Sequence, residues 1–327
     1  MRESQIKKHE EGFVSQQTDS NGTKYTISEI QQGDATVLRA VPQGVTDYYY
    51  EQKEKKQAIV VHFTAGYLKG DLASLCKQSN HVSVPYLIAR NGNIYQLFDP
   101  DYWAYHLGKG AVGGNSNLSM RTVPIEISNI GYLVEDGDNL KTIYGDIYCS
   151  KSETSYYTKI DSPFRNQKYF ATFTDVQYNS LNDLLRYLCG KYNIPREFIQ
   201  GTARFKVFST KTDARNFRGI CTHINFRDSG KWDIGPAFDW DCIVEDEKKV
   251  KQALDVVKEK PKEDPKPIEE KPKDPDPVVE KVEEKKDDTA EKPQPKDGVT
   301  IREDLSFDWK KIFTAIIEFI KKLFRKK

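Results

Sequence analysis

From Lys258 to Asp297 the chain is almost entirely Lys, Glu, Asp and Pro, with eight prolines. Such a stretch has too few apolar side chains to offset the entropy of ordering it, so it reads as an extended, semi-rigid linker. A folded core must therefore lie before it, with a separate short segment after it. This break accounts for a mean hydropathy of −0.70 and a hydrophobic content of 37%, both low for a wholly globular chain. The expected organisation is an extension over residues 1–55 packing on the core and a folded domain over 56–250. A charged, Pro-rich linker over 251–300 and a terminal helix over 301–327 follow.

The terminal segment has its own pattern. Trp309, Ile312, Phe313, Ile316, Phe319, Ile320, Leu323 and Phe324 recur at helical spacing. Lys310, Lys311, Lys321, Lys322, Arg325, Lys326 and Lys327 supply most of the polar side, which makes 308–327 a basic amphipathic helix. Its alternatives are packing on protein and contact with an anionic membrane or lipopolysaccharide surface. A formal net charge of +1 gives no general case for nucleic acid. No stretch reaches the ~18–20 apolar residues of a membrane span. Met1–Lys8 lacks an apolar export core, so synthesis in the cytoplasm without a signal peptide is expected. The five cysteines are scattered and form no CxxC pair, so they read as small thiols in a reducing compartment rather than a zinc ribbon or a redox motif.

Within the folded part, Gln57–Phe63 is a continuous β-branched run, the pattern of a buried central strand, and it carries His62 near its end. Tyr86–Arg90 and Asn93–Leu97 flank Asn91-Gly92, the signal of a two-residue type I′ hairpin. Val123–Asn129 reads as a second buried strand with a carboxylate, Glu126, inside it. A carboxylate there needs a partner or a pocket, which makes Glu126 a site candidate. Thr174 opens a helix with Tyr178, Leu181, Leu184, Leu185 and Leu188 in period and Gly190 at its close. Short strands are expected at Tyr25–Ile30, Ala35–Val41 and Phe198–Gln200. Residues 135–170 and 201–219 are polar insertions with no assigned elements.

Chemistry concentrates in Cys221–Pro236. His223 and Asp233 are two plausible metal ligands ten positions apart (233 − 223), a spacing that suits a loop folding back on itself. Lys231 stands two before Asp233, and in extended chain i and i+2 point the same way. Cys221 is a weaker ligand candidate than Asp233, and His9 and His81 have no comparable support. With His62 as a third ligand, two imidazoles and one carboxylate leave a fourth tetrahedral position open, as in catalytic zinc sites. A nearby carboxylate can take a proton from water and a lysine can stabilise an oxyanion, which together equip a site for amide hydrolysis.

These segments, in this order, resemble the type-2 N-acetylmuramoyl-L-alanine amidases, whose fold is shared with phage amidase-lysozymes and peptidoglycan recognition proteins. The matching stretches are Val60–Gly66, Tyr86–Leu97, Trp103–Gly108, Pro124–Ile127 and His223–Pro236, spread over residues 55–245. The resemblance implies an α/β fold, a central mixed β-sheet flanked by helices. It implies Zn2+ held by His62, His223 and Asp233, catalysis by Glu126 and Lys231, and His106, Thr64 and Tyr86 in the substrate cleft. It implies that the lactyl–L-alanine amide of peptidoglycan is cut; the linker and basic helix without a signal peptide suit a phage endolysin acting on the cell wall (periplasm) after release. A peptidoglycan-binding protein without catalysis, and an effector toxin or virion protein, are the alternatives. Two departures touch the cleft: Pro85 stands where many relatives have His, and Tyr105-His106 replaces a Trp-His pair, with Trp103 displaced by two.

Overall fold

Parallel strands buried on both faces need apolar side chains at nearly every position; Ala58–Phe63 has them at all but His62, and Gly219–Thr222 is small or apolar and buried throughout. In the computed structural model these strands lie side by side in a mixed sheet that organises the molecule. The structure describes residues 2–243. The linker expected over 251–300 and the helix expected over 301–327 lie outside the described residues.

The chain opens with α1 (Arg2–Ile6), a π-helical turn (Lys7–Glu11) and α2 (Gly12–Gln16). Then come β1 (Tyr25–Gln32), β2 (Ala35–Pro42), β3 (Ala58–Phe63), α3 (Leu68–Leu75) and the hairpin β4 (Tyr86–Ile88) and β5 (Ile94–Gln96). The helix α4 (Asn115–Arg121) runs directly into β6 (Thr122–Ile127). Five strands follow: β7 (Tyr132–Asp136), β8 (Asn139–Lys141), β9 (Ile147–Ser150), β10 (Tyr157–Phe164) and β11 (Gln167–Ala171). The described part ends with α5 (Asp175–Tyr192), α6 (Lys211–Asn216) and β12 (Gly219–Thr222).

The seven-stranded sheet has the order β1-β2-β5-β4-β6-β3-β12, with β4, β6, β3 and β12 mutually parallel. Side chains alternate between its faces. On one face Ile59, Val61, Val123, Ile125 and Ile127 pack against Tyr178, Leu181, Leu184, Leu185 and Leu188 of α5. On the other, Leu87 and Tyr95 meet Phe13 of α2 and Leu68 and Leu72 of α3, while Val60 and Cys221 meet Leu118 of α4 and Ala214 of α6. Each leucine so buried contributes ~1.5–3 kcal/mol relative to exposure. The fold is the expected α/β arrangement, a mixed sheet with helices on both faces.

Several local expectations are corrected. The β4–β5 turn is not type I′, because Gly92 has φ 86 but Arg90 and Asn91 do not have positive φ. Gly92 N–H donates to Ala89 O, which makes a type I turn followed by a left-handed glycine. Gly190 does not close α5. The helix runs on to Tyr192 and stops where Asn193 adopts φ 51, while Thr174 and Gln177 form a capping box at its start. Phe198 makes only an isolated bridge to Ile220 rather than a strand. The insertion at 135–170 has elements after all: with its flanks it forms a second, five-stranded sheet in the order β10-β11-β7-β8-β9, with a small core of Ile130, Leu133, Leu140, Tyr148, Cys149, Tyr169 and Ala171.

Candidate metal centre

Strand parity places the site. In β3, Ile59 and Val61 face α5, so His62 faces the other way with Val60. Parallel pairing sets Glu126 of β6 opposite His62, on the same face. β12 pairs Cys221 with Val60 and Thr222 with Val61, so His223, the next residue, emerges level with His62 on the neighbouring strand. There the chain turns through His223–Asn225, and Ile224 N–H donates to Asp233 O at 3.1 Å, which closes the loop and brings Asp233 back.

The hydrogen bonds behind the two imidazoles decide where their protons sit. His223 Nε2 is 2.9 Å from Leu107 O, an acceptor only, so Nε2 carries the proton and Nδ1 a lone pair. Thr122 Oγ1 gives its proton to Leu118 O at 2.7 Å and accepts from His106 Nε2 at 2.8 Å. His106 Nδ1 must then accept, 3.0 Å from His62 Nε2, which leaves His62 Nδ1 unprotonated. The two bare Nδ1 atoms lie 3.0 Å apart and face Asp233 Oδ2 at 3.0 and 2.9 Å. Three buried electron-pair donors with no proton among them repel one another unless they share a cation.

The donor set fits zinc. His62, His223 and Asp233 are the one group of potential ligands of this kind among the described residues, with ligand atoms within 4.8 Å of one another. Zinc at ~2.0–2.1 Å from N and O donors would place tetrahedral ligand atoms about 3.3 Å apart, close to the observed triangle. Burial, ahead of the neighbouring charges of His223 and Lys231, holds the His62 imidazole down at about 4 although its hydrogen bond to Asp233 raises it. His223 is lowered too, chiefly by burial. Burial alone would raise Asp233, but the charge and hydrogen bond of His223, with the His62 hydrogen bond, hold it well below the ordinary carboxylate range. At neutral pH all three are in the state that binds metal.

Glu126 stands beside this group. Its Oε2 is sealed from solvent and hydrogen-bonded to nothing among the described residues. Burial, then the charge of Asp233, pushes its carboxyl well above the usual value, and the Lys231 ammonium pulls it back. Lys231 acts in the same way on His62, His223 and Asp233, which places its charge at the site.

The remaining predicted residues fall in different places. His106 is buried behind His62, where it sets the tautomer of a ligand. Thr64 accepts from Gly66 N–H at 3.2 Å and Asn129 N–H at 3.3 Å, which pins the chain just beyond β3. Tyr86 is not brought to the site. It is fully buried in the α5-facing core and donates to Gln32 Oε1 at 2.8 Å, because β4 parity points Tyr86 and Ile88 away from the face that carries His62. Thr122 is a residue that sequence reasoning missed. It shares the Glu126 face by parity, but nothing in the sequence says that His106 reaches it. A cleft of about 480 Å³ between β1–β2 and α5, lined by Glu29, Asp34, Asn91, Asn179 and Asp183, contains none of these groups.

The family model described as N-acetylmuramoyl-L-alanine amidase (Amidase_2) matches residues 52–236, more than half of the chain. No curated protein matches the sequence. Among solved structures, the N-acetylmuramyl-L-alanine amidase AmiD from E. coli, in complex with the substrate anhydro-N-acetylmuramic acid-L-Ala-D-gamma-Glu-L-Lys, is 20% identical with a TM-score of 0.38. That likeness covers 66% of this chain and 65% of AmiD, so the chain spans just under two thirds of that relative. A selenomethionine derivative of AmpD is 18% identical, covering 62% of this chain and 91% of AmpD with a TM-score of 0.37. AmpDh3 from Pseudomonas aeruginosa is 15% identical, covering 67% of this chain and 74% of its own, with a TM-score of 0.37. The family assignment rests on the sequence match.

Proposed function

The chain belongs to the N-acetylmuramoyl-L-alanine amidase family, and from that premise we propose that it hydrolyses the amide between N-acetylmuramic acid and L-alanine in peptidoglycan. His62, His223 and Asp233 would hold Zn2+, and the observation that carries the reading is the convergence of their three unprotonated donor atoms. Bound zinc supplies Lewis acidity, which polarises a carbonyl and acidifies water.

The chain's own groups do the rest. Glu126 takes the proton of the attacking water and returns it to the leaving L-alanine nitrogen. Burial and the Asp233 charge raise its carboxyl while the Lys231 charge opposes them, the kind of perturbed environment in which proton-transferring carboxyls are found. The Lys231 ammonium stabilises the negative charge that develops on the scissile carbonyl oxygen. His106 and Thr122 keep His62 in the tautomer that presents Nδ1. A complete ligand set favours this enzyme over a non-catalytic binding protein.

The setting is that of an endolysin that reaches the cell wall after release. The motivation is the charged linker followed by a basic amphipathic pattern, which equips the chain to bring the site to a membrane-bounded wall. The experiment for the chemistry counts α-amino groups released from purified peptidoglycan. They should appear with the purified protein, vanish on chelation and return with added Zn2+. A protein that releases none, with zinc present, is not this enzyme.

A further inference from the structure

The loop that carries Lys231 and Asp233 has little backbone support of its own. Among the described residues, no backbone group from Asp228 to Trp232 bonds to another backbone group, and Asp228, Ser229 and Gly230 are exposed. A loop of this kind would sample many positions, yet it must hold an ammonium and a metal ligand to within a fraction of an ångström.

The second sheet supplies what the loop lacks. β10 and β11 are joined by a two-residue turn, Arg165-Asn166, between the paired Phe164 and Gln167. The guanidinium of Arg165 reaches across to the loop and donates from Nη1 to Lys231 O and from Nη2 to Arg227 O, the latter at 2.7 Å. The loop answers with Trp232 Nε1, which donates to Arg165 O at 3.2 Å. Tyr132 of β7 packs on the Trp232 ring with centroids 4.6 Å apart. A Cβ on Gly235 would stand 3.1 Å from Phe164 Cδ1, so tip and loop are in close contact just beyond Asp233.

The turn is built at a cost. Arg165 and Asn166 have φ 49 and φ 67, the type I′ geometry that glycine and asparagine adopt easily and an arginine does not. A residue unsuited to its backbone, with a side chain that spans two carbonyls of the functional loop, is the combination expected where local strain serves a function. We propose that Arg165 is a positioning residue, which clamps the Arg227–Asp233 loop so that the Lys231 ammonium and the Asp233 carboxylate are fixed at the metal centre. Its planar fork binds both carbonyls at once, which a lysine ammonium cannot do in the same geometry.

This inference rests on the amidase reading only for its kinetic arm. The test uses the full chain and Arg165→Gly, a substitution that suits the positive φ, so the hairpin is kept while the guanidinium is lost. Hydrogen exchange should accelerate at the amides that close the loop, Ile224 N–H on Asp233 O and Arg227 N–H on Ile224 O, with β3 and β6 as protected as before. The turnover number should fall on the order of 10²-fold with KM little changed, the pattern of a displaced catalytic group. Zinc should bind less tightly, because Asp233 is loosened with Lys231; at saturating zinc added guanidinium ion should restore part of the lost turnover, and Arg165→Lys should not match the parent. Loop exchange unchanged in Arg165→Gly overturns the proposal, and so does faster exchange with undiminished turnover. Should the parent chain release no amino groups, the amidase reading fails, and the exchange measurement alone still decides whether Arg165 clamps the loop.

Discussion

At the scale of single residues, protons decide what the site is. The His106–Thr122–Leu118 relay and the Leu107 carbonyl leave both ligand imidazoles bare on the side facing Asp233. Removing one ligand should therefore remove the metal, and elemental analysis of His223→Ala should show loss of zinc. Retention of zinc together with activity would contradict the ligand assignment. Glu126→Gln and Lys231→Ala should keep zinc and the fold. Each should lose turnover by ~10²–10³, the usual cost of deleting a group that acts in the transition state. Wild-type turnover in Lys231→Ala would remove it from the oxyanion role. His62 and Glu126 were legible because each sits in an apolar strand run, where a polar group stands out, and His223 because it shares one short loop with Lys231 and Asp233. The resemblance puts Tyr86 in the cleft, whereas β4 parity turns it into the α5-facing core; alternation shows that Tyr86 and Ile88 share a face but not which face carries the site. The link from His106 to Thr122 spans loops whose path no periodicity encodes.

At the scale of elements, the helical run before β1 holds an unusual group. The π-helical turn Lys7–Glu11 directs Glu10 inward, where it is 4% exposed and neither carboxylate oxygen has a hydrogen-bond partner among the described residues. Burial, then the charge of Asp71 on α3, raises its carboxyl to about 7, against an opposing pull from Arg90. Asp71 is itself raised to about 6 by burial, with Ser128 and Thr64 hydrogen bonds opposing. Below the ordinary value of 4.5 for Glu10 the group is protonated whether the chain is folded or not. As pH rises through 7 the folded state must ionise a buried carboxyl, so stability present in acid is lost on the alkaline side. Glu10→Gln should flatten this dependence and raise stability at pH 8 by up to about 3 kcal/mol in denaturant unfolding. A parent chain equally stable at pH 5 and pH 8 would contradict it. The central strands and α5 were readable because burial on both faces, or on one helical stripe, leaves a long apolar signature. The second sheet was not, because β7, β8 and β9 are too short to show a period and β10, though eight residues long, buries none of them fully.

At the scale of the whole molecule, the chain joins a site-bearing domain to a charged tail. The linker and the basic pattern of 308–327 lie outside the described residues and rest on sequence alone. If the tail carries the enzyme to an anionic surface, a chain ending at Asp297 should hydrolyse purified peptidoglycan at the parent rate yet fail to bind anionic vesicles. Unchanged vesicle binding would leave the tail as a packing helix. The central claim concerns one bond, and mass spectrometry of peptidoglycan digested by the full chain tests it most directly. The account predicts stem peptides with a free L-alanine amino terminus and glycan strands with a free lactyl carboxyl and no new reducing ends. Intact lactyl–L-alanine amides, with cleavage at a glycosidic bond or inside the stem peptide instead, would contradict it.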